Sequence, residues 1–146
     1  MRVANFIGWG SILALLPACA AGPLSTCDLV SSPSMYDGET VLVKALFLYD
    51  GIENSHASVG ETCPAGGPIA VAEDRSGQGE ASLFWQLTKA YKRSSAEQRY
   101  GVSATVRGRF HALGRNGQPT LDIHEAEAVV IVQAPPAEPP PPSRDQ

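Results

Sequence analysis

The segment VSATVRGRFHALGRNGQPTLDIHEAEAVVIVQ, residues 102–133, decides the fold of this chain. From Val102 to Ala112, small or apolar residues alternate with polar ones, which is the period of a β-strand with one buried face. Asn116-Gly117 is typical of a tight hairpin turn, because both residue types accept a positive φ angle. The segment from Thr120 to Gln133 predicts a second strand, with a bulge around Glu125-Ala126, where the alternation slips. A β-hairpin is therefore expected at the end of the folded domain.

Three more strands and one helix are expected upstream of this hairpin. Thr40 to Gly51 is rich in β-branched and aromatic residues and predicts a long first strand, while residues 55–61 and 68–74 predict two short ones. Between Ser82 and Tyr100 the period changes and predicts a helix of about 12–18 residues that ends at Gly101. The positions that recur at helical spacing are Leu83, Leu87, Ala90 and Ser94.

This order of elements predicts the architecture of the domain. Three strands, one helix and two strands fit a mainly β fold, a five-stranded Greek-key OB-like barrel with one α-helix between strands 3 and 4. We place this barrel at residues 27–133. The segment that follows, residues 134–146 (APPAEPPPPSRDQ), is rich in proline and predicts a disordered, extended tail.

The same region resembles a family of small, largely uncharacterised bacterial exported proteins and lipoproteins. The family's motifs are a Cys-x-Leu opening, a Tyr-Asp-Gly turn, a Val-x-Val strand and a later Cys-Pro. Their positions here are Cys27, Leu29, Tyr36, Asp37, Gly38, Val41, Val43, Cys63 and Pro64. The resemblance covers residues 27–132 and implies an exported OB-like barrel. It implies no catalytic residues and no named ligand.

Residues 1–20 have the layout of a secretory signal peptide. Arg2 supplies the positive charge, the segment from Val3 to Leu16 is almost entirely apolar, and small residues follow it. If it were kept, the uncharged run from Val3 to Gly22 would be just long enough to span a bilayer. The small residues at its end favour cleavage instead. Export from the cytoplasm is therefore expected, with residues 21–26 as a linker to the barrel.

Two cleavages fit the end of this signal peptide. Ala18-Cys19-Ala20 satisfies the small-x-small rule of the general signal peptidase, which would discard Cys19. Leu16-Pro17-Ala18-Cys19 instead resembles the bacterial lipobox, in which the cysteine receives a diacylglyceryl group. Pro17 departs from that pattern, which has Ala, Ser or Thr at its position. Cys19 is therefore either a lipidation site or removed, and the protein is either lipid-anchored or free in the periplasm.

The cysteine count supports a disulfide. The chain has three cysteines, and lipidation or removal of Cys19 leaves Cys27 and Cys63. In an oxidising compartment two remaining cysteines are expected to pair, and the alternative is two free, buried thiols. A zinc site has little support, because neither cysteine has a CxxC or HxxxH companion.

The sequence contains no catalytic motif. It has no GxSxG, no P-loop and no HExxH, so we expect no enzyme activity and no cofactor. The formal net charge of -4 argues against nucleic-acid binding, because nucleic-acid binders are usually basic. Residues 51–74, which include the expected second and third strands, also lack the aromatic and basic residues that OB-folds use to bind single strands.

The charges are unevenly distributed along the chain. Residues 89–115 carry seven cations and one acid, whereas residues 27–74 carry eight acids and one lysine. One interpretation is a cationic face that contacts an anionic envelope polymer or lipid headgroups. The alternative, which we favour, is that the two halves neutralise each other, with Arg107 and Arg109 paired to acids of the first or last strand.

Candidate binding residues follow from this pattern. Ligand contacts are expected from Glu53, Asn54 and His56 after the first strand, and from Arg107 and Arg109 on the fourth. Alternatively, His111 and His124 are expected to be cross-strand neighbours that form a metal-binding patch together with a nearby glutamate.

These observations favour a non-catalytic exported domain of the cell envelope, acting as an interaction or structural module. Its expected partners are envelope proteins or anionic envelope polymers, and a lipid anchor would bind it to the membrane. The alternative function is a periplasmic protein that binds a small ligand or a metal ion.

Overall fold

The computed structural model describes residues 22–49, 58–59, 63, 68–73, 82–114 and 117–136. The expected signal peptide, the lipidation site Cys19 and most of the proline-rich tail lie outside these residues. The elements, in chain order, are α1 Thr26–Ser31, α2 Pro33–Tyr36, β1 Thr40–Leu48, β2 Ser58–Val59, β3 Ala70–Glu73, α3 Leu83–Arg93, β4 Tyr100–His111 and β5 Thr120–Gln133.

The strands form one sheet in the order β2-β1-β4-β5-β3. The four longer strands make a mixed, curled half-barrel, in which β3 runs parallel to β5 and the other pairs are antiparallel. The expected closed five-stranded barrel is wrong, because no ladder joins β2 to β3 in the part of the chain that the structure describes. The described parts of these strands are short, since β2 has two residues and β3 has four.

The core lies on the concave face of this sheet. Alternate residues of β1 are buried, from Val41 to Phe47, and alternate residues of β4 are buried from Val102 to Phe110. The ladder between these strands places Val43 opposite Val106, so that the two buried rows face the same side. The alternation in the sequence of β4 is thus confirmed as the division between core and surface.

A β-bulge shifts the register between β4 and β5. Gly108 of β4 lies opposite Ile123, but its neighbour Arg107 lies opposite Glu125, so β5 has one extra residue here. A Cβ added at Gly108 would lie 2.5 Å from the carbonyl oxygen of Asp122, so glycine is required where the strands approach this closely.

A second bulge follows two pairs later, at residues 128–129, where Ala128 has a φ of 50°. Each bulge shifts the inward positions by one residue. The residues of β5 that pack against the core are therefore Leu121 and Ile123, then Ala126, then Val129 and Ile131. The single bulge expected around Glu125-Ala126 is replaced by one bulge on each side of that pair.

Helix α3 is shorter than predicted. Ser82 caps its start by accepting a hydrogen bond from the N–H of Trp85 at 3.0 Å. Its buried residues are Leu83, Leu87 and Ala90, as its period predicts. It ends at Arg93 and not at Gly101, which already belongs to β4.

Ser94 explains this early end. Its N–H and its hydroxyl both donate to the carbonyl of Ala90, at 3.1 and 2.9 Å. Its hydroxyl oxygen also accepts from the N–H of Tyr100, at 2.9 Å. A serine that bonds to the backbone in this way competes with helix propagation. The chain therefore turns at Ser94 and enters β4 six residues later.

Helix α1 is held to the sheet by a covalent bond and a strand-like contact. Cys27 and Cys63 form a disulfide, with their Cα atoms 5.2 Å apart, which confirms the expected pair. Leu24 pairs with β1 just before the helix, since its N–H donates to Leu42 at 2.8 Å and its carbonyl accepts from Lys44 at 2.9 Å. The packed structure therefore begins by Leu24.

The start of α1 carries a capping box between Ser25 and Asp28. The carboxylate of Asp28 accepts from the backbone N–H of Ser25 at 2.9 Å and from its hydroxyl at 2.8 Å. These two hydrogen bonds, the backbone one first, lower the pKa of Asp28 below its usual value of 3.8.

The predicted turn at Tyr36-Asp37-Gly38 is present, and Gly38 has a φ of 77°. The Asp37 carboxylate accepts from the N–H of Ala112 at 2.8 Å, so the turn also joins the start of β1 to the end of β4.

Candidate ligand-binding cleft

The arginines predicted to bind a ligand lie on the convex face of the sheet. The Nε of Arg107 is 3.4 Å from an oxygen of Glu125, and both side chains are more than half exposed. Arg109 lies between Thr40 of β1 and Asp122 of β5, and the described residues give it no ion pair. The expected pairing with a last-strand acid is therefore present for Arg107.

The two histidines are not opposite each other. The ladder places Thr120 opposite His111, while His124 is the extra residue of the first bulge. His111 Nε2 instead lies 3.1 Å from an oxygen of Asp122. Within the described ranges no three His, Cys, Asp or Glu side chains come together as a metal site would require. The expectation that His111 and His124 are cross-strand neighbours is wrong, because the hairpin pairs His111 with Thr120, four residues before His124, so that His124 lies near Arg107 instead.

The remaining predicted contacts, Glu53, Asn54 and His56, lie outside the described residues. A different site lies where β1 ends and β4 begins, beside the C-terminal end of α3.

An open cleft of about 790 Å³ occupies this corner. It is lined by residues from three parts of the chain that meet only in the fold: the end of β1, the end of α3, and the turn into β4. We call it the tyrosine cleft and define it by Tyr49, Tyr91, Lys92, Ser95, Arg99 and Tyr100.

The aromatic rings of the tyrosine cleft are held by one another. Tyr49 meets Phe84 edge-on, with ring centroids 5.8 Å apart, and meets Tyr91 in the same way at 5.3 Å. The guanidinium of Arg93 lies 4.5 Å from the centre of the Tyr100 ring. Such contacts fix ring orientation and stabilise each pair modestly. Tyr91 remains 45 % exposed, so its ring is available at the surface.

Cations surround these rings. Lys92 and Arg99 line the cleft, and neither has an acidic partner within 4.0 Å among the residues that the structure describes. Lys92 and Arg93 stand in the last turn of α3, where positive charge offsets the negative end of the helix dipole. Arg99 lies six residues beyond the helix, outside the reach of that effect. Its charge therefore has no structural use that the described residues reveal.

Sequence reasoning missed this site for a definite reason. A helix extended to Tyr100 would have placed Arg99 and Tyr100 on a helical surface and not in a turn. The available signal was the aromatic and cationic composition of residues 84–100, which contain four aromatic residues and four cations. Tyr49 carried no signal, because its neighbours in the cleft are distant in sequence.

Comparison with protein-family models found no match, and searches of curated proteins and of solved structures likewise found none. No helix within the described ranges has the length and apolar character needed to cross a membrane.

Proposed function

We propose that this protein is a non-catalytic, exported domain of the bacterial cell envelope that acts as an interaction module. The disulfide between Cys27 and Cys63 is the observation that carries this proposal. Disulfides persist in oxidising compartments, whereas the cytosol keeps thiols reduced. The signal-like layout of residues 1–20 supports the same compartment independently.

An OB-like plan is the fold on which this module is built. The pairings of β1 with β2 and β4, of β4 with β5, and the parallel pairing of β3 with β5 support it. The position of α3 between β3 and β4 supports it as well. OB-folds are partly open Greek-key barrels, and this one is open between β2 and β3.

The anchor is Cys19 if the lipobox is used. Leu24, which already pairs with β1, stands five residues after Cys19. At an extended rise of at most about 3.5 Å per residue, that link spans roughly 17 Å. A lipidated form would therefore hold the domain against the membrane surface, among lipid headgroups and envelope polymers. General cleavage would instead release the domain into the periplasm.

The partners we propose are anionic components of the envelope. The cations of α3 and of the turn after it support this, because Lys92 and Arg99 stay unpaired within the described part of the chain. The alternative metal-binding function has no comparable support, since His111 is engaged with Asp122.

The test is an intact mass of the protein from the envelope of its native host, before and after reduction and alkylation. A mass that starts at Cys19 with a diacylglyceryl group identifies a lipoprotein, and one that starts at Ala21 identifies a freely exported domain. Two alkylations that appear only after reduction identify the disulfide. A cytosolic protein that keeps residues 1–20 and alkylates without reduction would refute the proposal.

A further inference from the structure

We propose that the tyrosine cleft is a binding site for a phosphorylated saccharide, with the phosphate against Lys92 and Arg99 and the sugar ring against Tyr91. This inference names a ligand class for the envelope module proposed above and rests on that proposal only for its biological setting. The binding itself is a property of residues that the structure describes.

The rings supply the surface for the sugar. A saccharide presents an apolar face of C–H groups and a rim of hydroxyls, and tyrosine offers a flat apolar ring with a hydroxyl at its tip. Tyr91 is 45 % exposed, although it stands on a helix that buries Leu83, Leu87 and Ala90. Its edge-on contact with Tyr49 holds the ring in place before any ligand arrives. A ring fixed in advance loses little entropy on binding.

The cations supply the site for the phosphate. Lys92 and Arg99 line the same cleft, and no acidic residue lines it with them among those that the structure describes. The backbone of Arg99 is anchored, because its carbonyl accepts a hydrogen bond from the N–H of Ala134 at 2.9 Å. Unpaired cations of one sign in a concavity raise the local concentration of anions. A guanidinium also matches the geometry of phosphate oxygens.

The hydroxyl groups of the cleft have different roles. Ser94 both donates to Ala90 and accepts from Tyr100, so it belongs to the structure of the turn. The hydroxyl oxygen of Ser95 accepts from the N–H of Gln98 at 3.2 Å. The hydroxyl proton of Ser95 therefore remains available to a ligand oxygen.

If the cleft binds the sugar ring and the phosphate together, a compound that carries both should bind more tightly than a compound that carries only one. Glucose 6-phosphate carries a sugar ring and a phosphate, whereas glucose and inorganic phosphate each carry one of them. A ligand of this size in an open site is expected to bind with a Kd on the order of 1 mM. We expect glucose 6-phosphate to bind at least about ten-fold more tightly than either half.

The experiment is a titration of the exported, purified protein with these three compounds, followed by backbone amide NMR. The shifts caused by glucose 6-phosphate are expected to saturate and to cluster in residues 91–100. The same helix offers matched control variants at Trp85 and Lys89. Trp85 is 44 % exposed, nearly the same fraction as Tyr91, and the Nζ of Lys89 lies 5.8 Å from the centre of the Trp85 ring.

Lys92→Gln is expected to weaken glucose 6-phosphate binding about three- to five-fold, the range of one exposed ion pair. Tyr91→Ala is expected to weaken it at least as much. Lys89→Gln and Trp85→Ala are expected to leave the affinity unchanged. Lys92 is exposed, so Lys92→Gln tests the site without disturbing the core.

Three results would overturn the proposal: no saturable shift, an affinity for glucose or inorganic phosphate equal to that for glucose 6-phosphate, or equal losses in Lys92→Gln and Lys89→Gln. None of them bears on export, which the mass measurement tests separately. Vesicles that contain phosphatidylinositol distinguish a lipid source of the same chemistry. Sedimentation with them that requires Lys92 supports a headgroup ligand, and binding of the free compound alone supports a soluble or polymer-borne one.

Discussion

Removal of the disulfide is expected to destabilise this domain severely. Cys27 lies in α1 and Cys63 lies before β3, so the bond closes a loop between residues separated by 36 positions. On the chain-entropy model, a loop of that length restricts the unfolded chain by about 4 kcal/mol at 25 °C. Domains of this size are stable by only about 5–15 kcal/mol. The bond therefore accounts for a large fraction of the total stability.

The assay is urea unfolding of the purified, oxidised protein without residues 1–20, followed by the fluorescence of Trp85, the one tryptophan after residue 20. With a urea dependence of about 2 kcal/mol per M, a loss of about 4 kcal/mol lowers the midpoint by about 2 M. Cys27→Ser, Cys63→Ser and the double variant are compared with the oxidised and the reduced wild type.

The three variants form a thermodynamic cycle that isolates the bond. Each single substitution already breaks it, so the two singles and the double variant are expected to unfold at nearly the same midpoint, together with the reduced wild type. Additive effects of the two substitutions would show that Cys27 and Cys63 contribute through separate packing. A double variant as stable as the oxidised wild type would refute the reasoning altogether.

Three further predictions concern the sheet and α1. Gly108→Ala is expected to destabilise the domain by about 1–3 kcal/mol in urea unfolding, because the added methyl group meets a backbone carbonyl of β5. The control is Gly22→Ala, whose methyl group points into open space and is expected to leave the stability unchanged. A double-mutant cycle on Arg107 and Glu125 is expected to give a coupling free energy below about 1 kcal/mol that falls with added salt, because both side chains are exposed. A larger coupling free energy that does not depend on salt would contradict this. Asp28→Asn is expected to lower stability near neutral pH but progressively less below about pH 3.9, because the backbone and side-chain hydrogen bonds that lower the pKa of Asp28 act only on its charged form, and a pH-independent loss would be inconsistent with this.

Much of the sheet was predictable, because strand period is a local property. The alternation in residues 102–112 correctly separated the buried row of β4 from its exposed row. The first strand followed from its β-branched and aromatic composition, and the buried face of α3 followed from side-chain spacing. The cysteine count pointed to the disulfide, because the predicted lipidation or removal of Cys19 would leave two of the three cysteines.

The errors arose where non-local contacts decide. The end of α3 depends on a hydrogen bond between Ser94 and Tyr100, which only the turn brings together. The bulges of β5 are set by how it pairs with β4, so the slip in its alternation predicted the bulge next to Glu125 but not the second one. Barrel closure depends on whether β2 and β3 form a hydrogen-bonded ladder, and their short sequences carry no information on that pairing.

The sequence by itself determined the class of fold, the buried row of β4, the buried face of α3 and the cysteine pair, because each depends on residues near one another or on a count. Only the tertiary structure decided that the sheet stays a half-barrel and that Arg107 pairs with Glu125. It also decided the tyrosine cleft. Tyr49 reaches Tyr91 because α3 packs against β4, the strand that pairs with β1, and no spacing along the chain records that contact.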